Sequence, residues 1–502
     1  MTLDLNAAQL DRAAGVLLGM ACGDALGAPY EFGPPLGADV RVMMAGGGSF
    51  GWAPGEWTDD TSMAIAIAEV SAEAPDLLSP QAQDRVAARW SGWAKSAKDV
   101  GHQTRSVLGT ARQAAAQRGQ DQPNAGDLAS ASQAHHSRTG RSGGNGSLMR
   151  TAPVALAFLD DEAGLVEAAQ QLSSLTHFDP EAGEACVLWC LAIRHAVLHG
   201  NLDGLRLALG HLPTDRALVW SQRLDQAEAK TPADFERNGW VVEALQGAWS
   251  AITLSRNAAG GAAEHTSTSA QHLRTGLETA VRGGRDADTV AAIAGGLLGG
   301  AYGASAVPAA WRRRLHGWPG LHARDLVSLG VMTARGGQPD ADGWLQADRM
   351  DYSGYPGRFA MVQHPDDDGV WLGGVDALGH LPDGVNAVVS LCRLGAAEVP
   401  AQGVAVGDHV EVWLVDDPTP DQNPHLDFVL ADAAATVDAL RREGKTVLLH
   451  CVQAQSRTPA VAALYAARFK GRKVTEALAD IQRVLPDADP NSGLRAALGR
   501  LT

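Results

Sequence analysis

The stretch running from His450-Cys451 to Arg457-Thr458 brings a thiol, a guanidinium and a helix start together. A short apolar run at 447–449 leads into it. Five residues separate Cys451 from Arg457, and Pro459 stands in the first turn of a helical pattern, where its missing N–H costs nothing. A strand, a tight loop and a helix N-terminus in that order make an anion cradle, because loop amides and the helix dipole converge on one point. Arg457 adds a planar fork that matches two phosphate oxygens. Such a field favours the thiolate, which makes Cys451 a candidate nucleophile toward phosphate esters. Upstream, a strand-like run at 409–415 ends in Asp416-Asp417-Pro418. Asp416 is the better placed of the two to protonate a leaving oxygen and then deprotonate the attacking water; the competing reading is a turn residue.

Two acidic motifs carry a second chemistry. Trp57-Thr58-Asp59-Asp60-Thr61 opens one apolar helical pattern, and Arg285-Asp286-Ala287-Asp288-Thr289 opens another. A single acid at a helix start is ordinarily a cap or a dipole partner. Two adjacent carboxylates at one start, and an i, i+2 pair at the other, exceed what capping requires. Each motif also has a threonine able to offer a further oxygen. Hard oxygen donors without Cys or His point to Mg2+ or Mn2+ rather than zinc. Four facing carboxylates would repel unless cations neutralised them, so the pattern implies a two-metal centre.

The elements that must position these groups change character along the chain. Helical spacing of apolar residues marks 7–22, 61–70, 181–198 and 288–302. After about residue 345 the texture is strand, loop and helix: 369–372, 385–391, 410–415, a helix at 426–442 and a strand at 446–449. The expected organisation is an all-α domain over 1–330 followed by an α/β domain over 345–502 around a mostly parallel sheet. The Gly- and Asp-rich passage 335–343 reads as the linker. The Ser/Gln/Gly-rich stretch 114–144 is expected to be a long loop beside the site. The glycines of GGLLGG, 295–300, are expected to serve close helix packing. A length of 502 residues accommodates two or three domains. The net charge of −16 argues against nonspecific nucleic-acid binding. No run of eighteen apolar residues is present to cross a membrane, and the opening residues lack a secretion signal. Five cysteines do not make a disulfide framework, and Cys186 and Cys190, four apart on an apolar pattern, read as core. A reducing, cytoplasmic setting is the expectation.

Six segments in order resemble the ADP-ribosylglycohydrolase family: GMACGDALGAPYEF at 19–32, WTDDT at 57–61, KDVGHQT at 98–104, GNGSLMRTAP at 144–153, THFDPEA at 176–182 and RDADTVAAIAGGLLGGAYG at 285–303. The resemblance spans roughly 8–325. It implies an all-α fold, a binuclear Mg2+ or Mn2+ centre, and cleavage of an N- or O-glycosidic bond between ADP-ribose and an acceptor. It also implies Thr58, Asp59, Asp60, Asp286, Asp288 and Thr289 as metal ligands, with Glu31 as the acidic residue near the metals. Asp99 would face the acceptor side of the scissile bond. Asn145, Gly146 and Ser147 would line the diphosphate, with His177 near the ribose or phosphates. His102 stands where the family often has Asn.

The Cys451 segment is similar to the dual-specificity branch of the cysteine phosphatases, except that Ala454 and Gln455 replace the usual glycine and small apolar residue. The expected whole is a bifunctional hydrolase that acts on an ADP-ribosylated protein or small molecule and on a phosphorylated substrate. The alternative is an ADP-ribosyl hydrolase whose second domain only binds phosphate or ADP-ribose.

Overall fold

The computed structural model describes residues 4–73, 76–259, 268–340, 342–357 and 359–502. Contacts divide them into two units. The first takes most of the chain up to Val307 together with Arg314–Gln338; the second takes Pro308–Arg313 and Pro339–Thr502. Of the passage 335–343, residue 341 lies outside the described residues.

Among its described residues the first unit is mainly helical, with a short antiparallel pairing of His316–Gly317 with Leu321–His322. Its axis is the contact between helices Ala7–Gly27 and Ala287–Tyr302. Gly15, Gly19, Gly23 and Gly27 recur every fourth residue and so form one stripe on the first helix. A Cβ at Gly19 would stand 2.5 Å from the Gly295 carbonyl oxygen, and one at Gly295 only 2.2 Å from that of Gly19. The two backbones therefore touch, which is the packing role read into GGLLGG. At the far end of the stripe Gly27 abuts the backbone of Asp288. Close packing thus delivers the second acidic motif to the end of the first helix. Cys186 and Cys190 are buried in helix Pro180–His199, and Cys190 Sγ lies 3.1 Å from Thr151 Oγ1.

The stretch 114–144 is not the expected loop. It holds the end of helix His102–Gln117 and all of Ala125–Thr139. Asn124 accepts from Asp127 N, the Asp127 carboxylate accepts from Asn124 N, and Gly140 closes the helix at φ 60°. Leu128, Ala131 and Ser132 turn inward. Polar composition disguised a helix that is defined by its caps and one narrow buried face.

The second unit is a five-stranded sheet in the order Met361–His364, Asp367–Gly373, Thr446–His450, Val385–Ser390, His409–Glu411. The first pair is antiparallel and the rest are parallel. Helices Leu426–Arg442 and Arg457–Phe469 pack into the same apolar core as the central strands. The strand expected over 409–415 stops at Glu411. It is an edge strand, and beyond it Val415 N donates to Asn423 Oδ1 while Leu414 O accepts from Arg457 Nη1. Side chains of Asn423 and Arg457 claim backbone groups that a longer strand would pair.

Candidate functional site

Helix Asp59–Glu73 carries Asp59 and Asp60 in its first turn, and Asp286 immediately precedes helix Ala287–Tyr302. The Asp286 side chain does not cap that helix. It accepts instead from Asn145 Nδ2 at 2.7 Å, while Asp286 N donates to Asn238 Oδ1 at 3.2 Å. Carboxylate oxygens of Asp24, Asp60 and Asp288 lie within 4.8 Å of one another, as do those of Glu31, Asp286 and Asp288. Glu31 reaches the cluster because its loop is pinned to the other acidic motif. Phe32 N donates to Arg285 O at 2.6 Å and Arg285 N to Gly33 O at 2.7 Å. Thr58 Oγ1 donates to Asp60 Oδ2 at 3.0 Å. Thr289 is buried beside Asp286.

Burial, then mutual repulsion, pushes Asp59, Asp60 and Asp288 well above the ordinary carboxylate range and Glu31 up to about 9. Asp286 is raised by burial too, against the hydrogen bond from Asn145. Glu31 Oε2, Asp60 Oδ1 and Asp288 Oδ1 are buried with no hydrogen-bond partner among the described residues. Three buried acceptor oxygens without a protein partner in one carboxylate cluster fit a hard divalent cation.

Asp24 is absent from the sequence-derived set, yet it holds the first motif in place. One oxygen accepts from Thr58 N at 2.9 Å; the other accepts from Thr61 N at 3.0 Å and Thr61 Oγ1 at 2.6 Å. Its signal was present: it is the one charge in the apolar run 13–30. Asn238, whose side chain joins Asp286 N to Gly284 O, had no such signal.

Beside the carboxylates lies a pocket of about 380 Å³ whose walls include Trp52, Trp93, Trp318, Thr58, Asp59 and Asp99. Burial raises Asp99, opposed by the Val100 amide and by Arg105 and His102. The turn Asn145–Ser147 contributes differently at each residue. Asn145 is committed to Asp286 and the Asn238 carbonyl. The Ser147 hydroxyl accepts from Ser173 Oγ at 3.0 Å inside the core. Gly146 must be glycine, because a Cβ there would meet the His177 ring at 2.9 Å.

In the second unit, Cys451 directly follows strand Thr446–His450 and Arg457 begins helix Arg457–Phe469. Both are buried. Arg457 Nη1 donates to Leu414 O at 3.1 Å; its Nε lies 3.5 Å from Asp416 Oδ2, too far for a hydrogen bond. Burial opposes the Arg457 charge, but Cys451, Cys392 and Asp416 around it outweigh burial and raise it. Asp416 Oδ1 accepts from Ser456 Oγ at 2.6 Å and Asn491 Nδ2 at 2.9 Å, which sets the carboxylate against the loop. Ala454 sits at φ 58°, the conformation that glycine takes without strain.

A hydrogen-bond chain supports the loop from behind, and its directions follow from one fixed donor. Ala401 N donates to His409 Nδ1 at 2.9 Å, so His409 donates through Nε2 to Ser390 Oγ at 2.8 Å. Ser390 then donates to His450 Nε2 at 2.6 Å, leaving His450 Nδ1–H for the Cys451 carbonyl at 3.3 Å. Burial pushes His450 down to about 4, consistent with the neutral ring that this chain requires.

The chain belongs to the ADP-ribosylglycohydrolase family, whose model matches residues 5–339. It is 32% identical over 314 residues to the ADP-ribosylarginine hydrolase Tri1 of Pseudomonas putida (strain GB-1), covering 60% of this chain and 73% of that protein. Similarity to the hydrolase of the same name from Serratia proteamaculans (strain 568) is 26% over 312 residues, 61% of this chain and 75% of the relative. A further 132-residue match, 26% of this chain, is 30% identical to mouse Dual specificity phosphatase 28 and covers 77% of it. Among the described residues no helix is long and apolar enough to cross a membrane.

Proposed function

We propose that this hydrolase removes ADP-ribose from an acceptor with the help of two divalent cations, Mg2+ or Mn2+, held by Thr58, Asp59, Asp60, Asp286, Asp288 and Thr289. The observation that carries the reading is the set of orphaned, buried oxygens on Glu31, Asp60 and Asp288. Bound there, the cations supply charge stabilisation for the ribose hydroxyls and an activated water. The chain's own groups do the rest. Asp24 fixes Thr58 and Thr61, and Asn145 fixes Asp286. Asp99, raised by burial, favours the protonated form that a departing nitrogen needs. The Trp-walled pocket suits a planar cationic acceptor, and the relatives named ADP-ribosylarginine hydrolase make arginine the first acceptor to test. The experiment is mass-spectrometric product identification with ADP-ribosylated arginine, serine and nucleobase acceptors, with and without chelator. Release of free ADP-ribose that survives excess chelator would refute the metal-dependent reading.

We further propose that residues 345–502 form a dual-specificity-type phosphatase domain, in which Cys451 attacks phosphorus, Arg457 holds two equatorial oxygens and Asp416 protonates the leaving oxygen. Support comes from the strand, loop and helix arrangement around Cys451 and the approach of Asp416 to Arg457. A second reading, a domain that binds phosphate or ADP-ribose without turnover, draws on the engagement of Asp416 Oδ1 by Ser456 and Asn491. Phosphate release from an aryl phosphate separates the two. Turnover that Cys451→Ser abolishes supports catalysis; no release from any ester leaves the binding module.

A further inference from the structure

Behind the Asn145–Ser147 turn lies a buried cation that neither the metal centre nor the pocket uses. The Arg150 guanidinium stacks 4.0 Å over the Trp90 ring. Its Nη2 donates to Thr176 Oγ1 at 2.6 Å and, more weakly, to Leu172 O at 3.3 Å. Thr176 Oγ1 in turn lies 2.7 Å from His177 Nδ1. Arg150, Thr176 and His177 are all buried.

The chemistry of the three groups fixes the proton positions. A guanidinium has donors and no acceptor, so the Thr176 oxygen must accept from it. Among the described residues His177 Nδ1 is the acceptor within reach of the buried hydroxyl hydrogen, and a proton on Nδ1 would leave that hydrogen unpaired, so Nδ1 accepts and the imidazole proton is left on Nε2. Among the described residues Nε2 makes no hydrogen bond within the chain. It lies against the glycines of the turn: a Cβ at Gly146 would stand 3.1 Å from it and one at Gly144 3.3 Å. The backbone there has no side chain to separate Nε2–H from a ligand seated on the loop. We propose that Arg150 and Thr176 are positioning residues that lock His177 in the neutral Nε2–H tautomer, so that it gives a hydrogen bond to a diphosphate oxygen of ADP-ribose. This rests on the reading of Asn145–Ser147 as the diphosphate loop. The lock matters because a neutral imidazole in the other tautomer would turn a lone pair toward the phosphate oxygen. Charging the ring instead is opposed by burial first and then by Arg150 and His135, which hold His177 well below the ordinary histidine range.

The test is nitrogen-15 NMR of the full chain labelled in its imidazole rings, with the His177 signal identified by its loss in His177→Gln. The wild type should show a bare Nδ1 and a protonated Nε2. Thr176→Val, nearly isosteric, should mix the tautomers, and Thr176→Ser should restore the single form. Calorimetric binding of free ADP-ribose in Mg2+ buffer should weaken about tenfold in Thr176→Val, as expected for one hydrogen bond to a charged group, and recover in Thr176→Ser. A wild-type ring protonated on Nδ1, or doubly protonated, overturns the lock whatever the variants do. Mixed tautomers with unchanged ADP-ribose affinity overturn the positioning role. Wild-type protein that binds no ADP-ribose overturns the diphosphate reading and the role built on it, while the tautomer measured in the free protein still judges the lock by itself.

Discussion

Asp24 and Asp288 illustrate how differently two carboxylates can serve one centre. Asp24 spends both oxygens on Thr58 and Thr61, whereas Asp288 keeps an oxygen with no partner. Asp288→Ala should therefore lower hydrolase turnover by at least about a hundredfold through loss of a ligand. Asp24→Asn, which weakens only the support, should lie within the ten- to hundredfold range typical of groups that orient ligands; steady-state rates at saturating Mg2+ check both. Glu31 makes a pH prediction. Its folded value of about 9 exceeds the ordinary 4.5, so the folded state binds its proton more tightly. In cation-free protein its contribution to stability is therefore complete below about 4.5 and is lost as pH rises toward 9. Melts in chelator should show Tm falling between pH 5 and 8, and falling less steeply in Glu31→Gln. In the other unit, Ala454 holds φ 58° without the freedom of glycine. Ala454→Gly should raise stability by about 1 kcal/mol in denaturant melts, because the left-handed conformation costs an L-residue roughly that much.

Among the elements, the glycine stripe decides most. Gly15, Gly19, Gly23 and Gly27 bring helix Ala7–Gly27 to backbone contact with Ala287–Tyr302, and the acidic motif at the head of the second helix is placed by that contact. Gly295→Ala forces a methyl within 2.2 Å of the Gly19 carbonyl oxygen, which no side-chain adjustment can relieve. Overpacking of this kind costs about 1–3 kcal/mol or more. The expected result is a lower Tm together with weaker cation-dependent stabilisation, because the splayed helices pull Asp288 from Asp60. A Tm drop with cation stabilisation untouched would mean that the stripe serves packing alone. In the α/β unit the parallel pairing of Val385–Ser390 with Thr446–His450 lets Ser390 meet His450. These elements were legible from glycine spacing and apolar runs. Helix Ala125–Thr139 was not, since a Ser- and His-rich segment becomes helical here through its Asn124 cap and a narrow buried face.

For the whole molecule, the residues assigned to ADP-ribose hydrolysis all fall in the first unit and the cradle residues all fall in the second. The two proposed activities should therefore dissociate by mutation. Cys451→Ser should leave ADP-ribose release at wild-type rates, and Asp288→Ala should leave phosphate release intact when both are assayed on the full chain. The sequence by itself determined the chemistry available: a Cys-x5-Arg pair after an apolar strand, two acid-rich helix starts, and glycines at helical spacing. It could do so because these signals are local, each contained within a turn or two of chain. Only the tertiary structure decided which groups meet. Asp24 reaches Thr58 across 34 residues, and Asn145 reaches Asp286 across 141. Arg150 reaches the Thr176 hydroxyl across 26 residues, and that hydroxyl lies against His177 Nδ1. Those partnerships depend on helix crossings and loop closures, whose outcome is fixed by packing over the whole unit and leaves no mark at the spacing of any one segment.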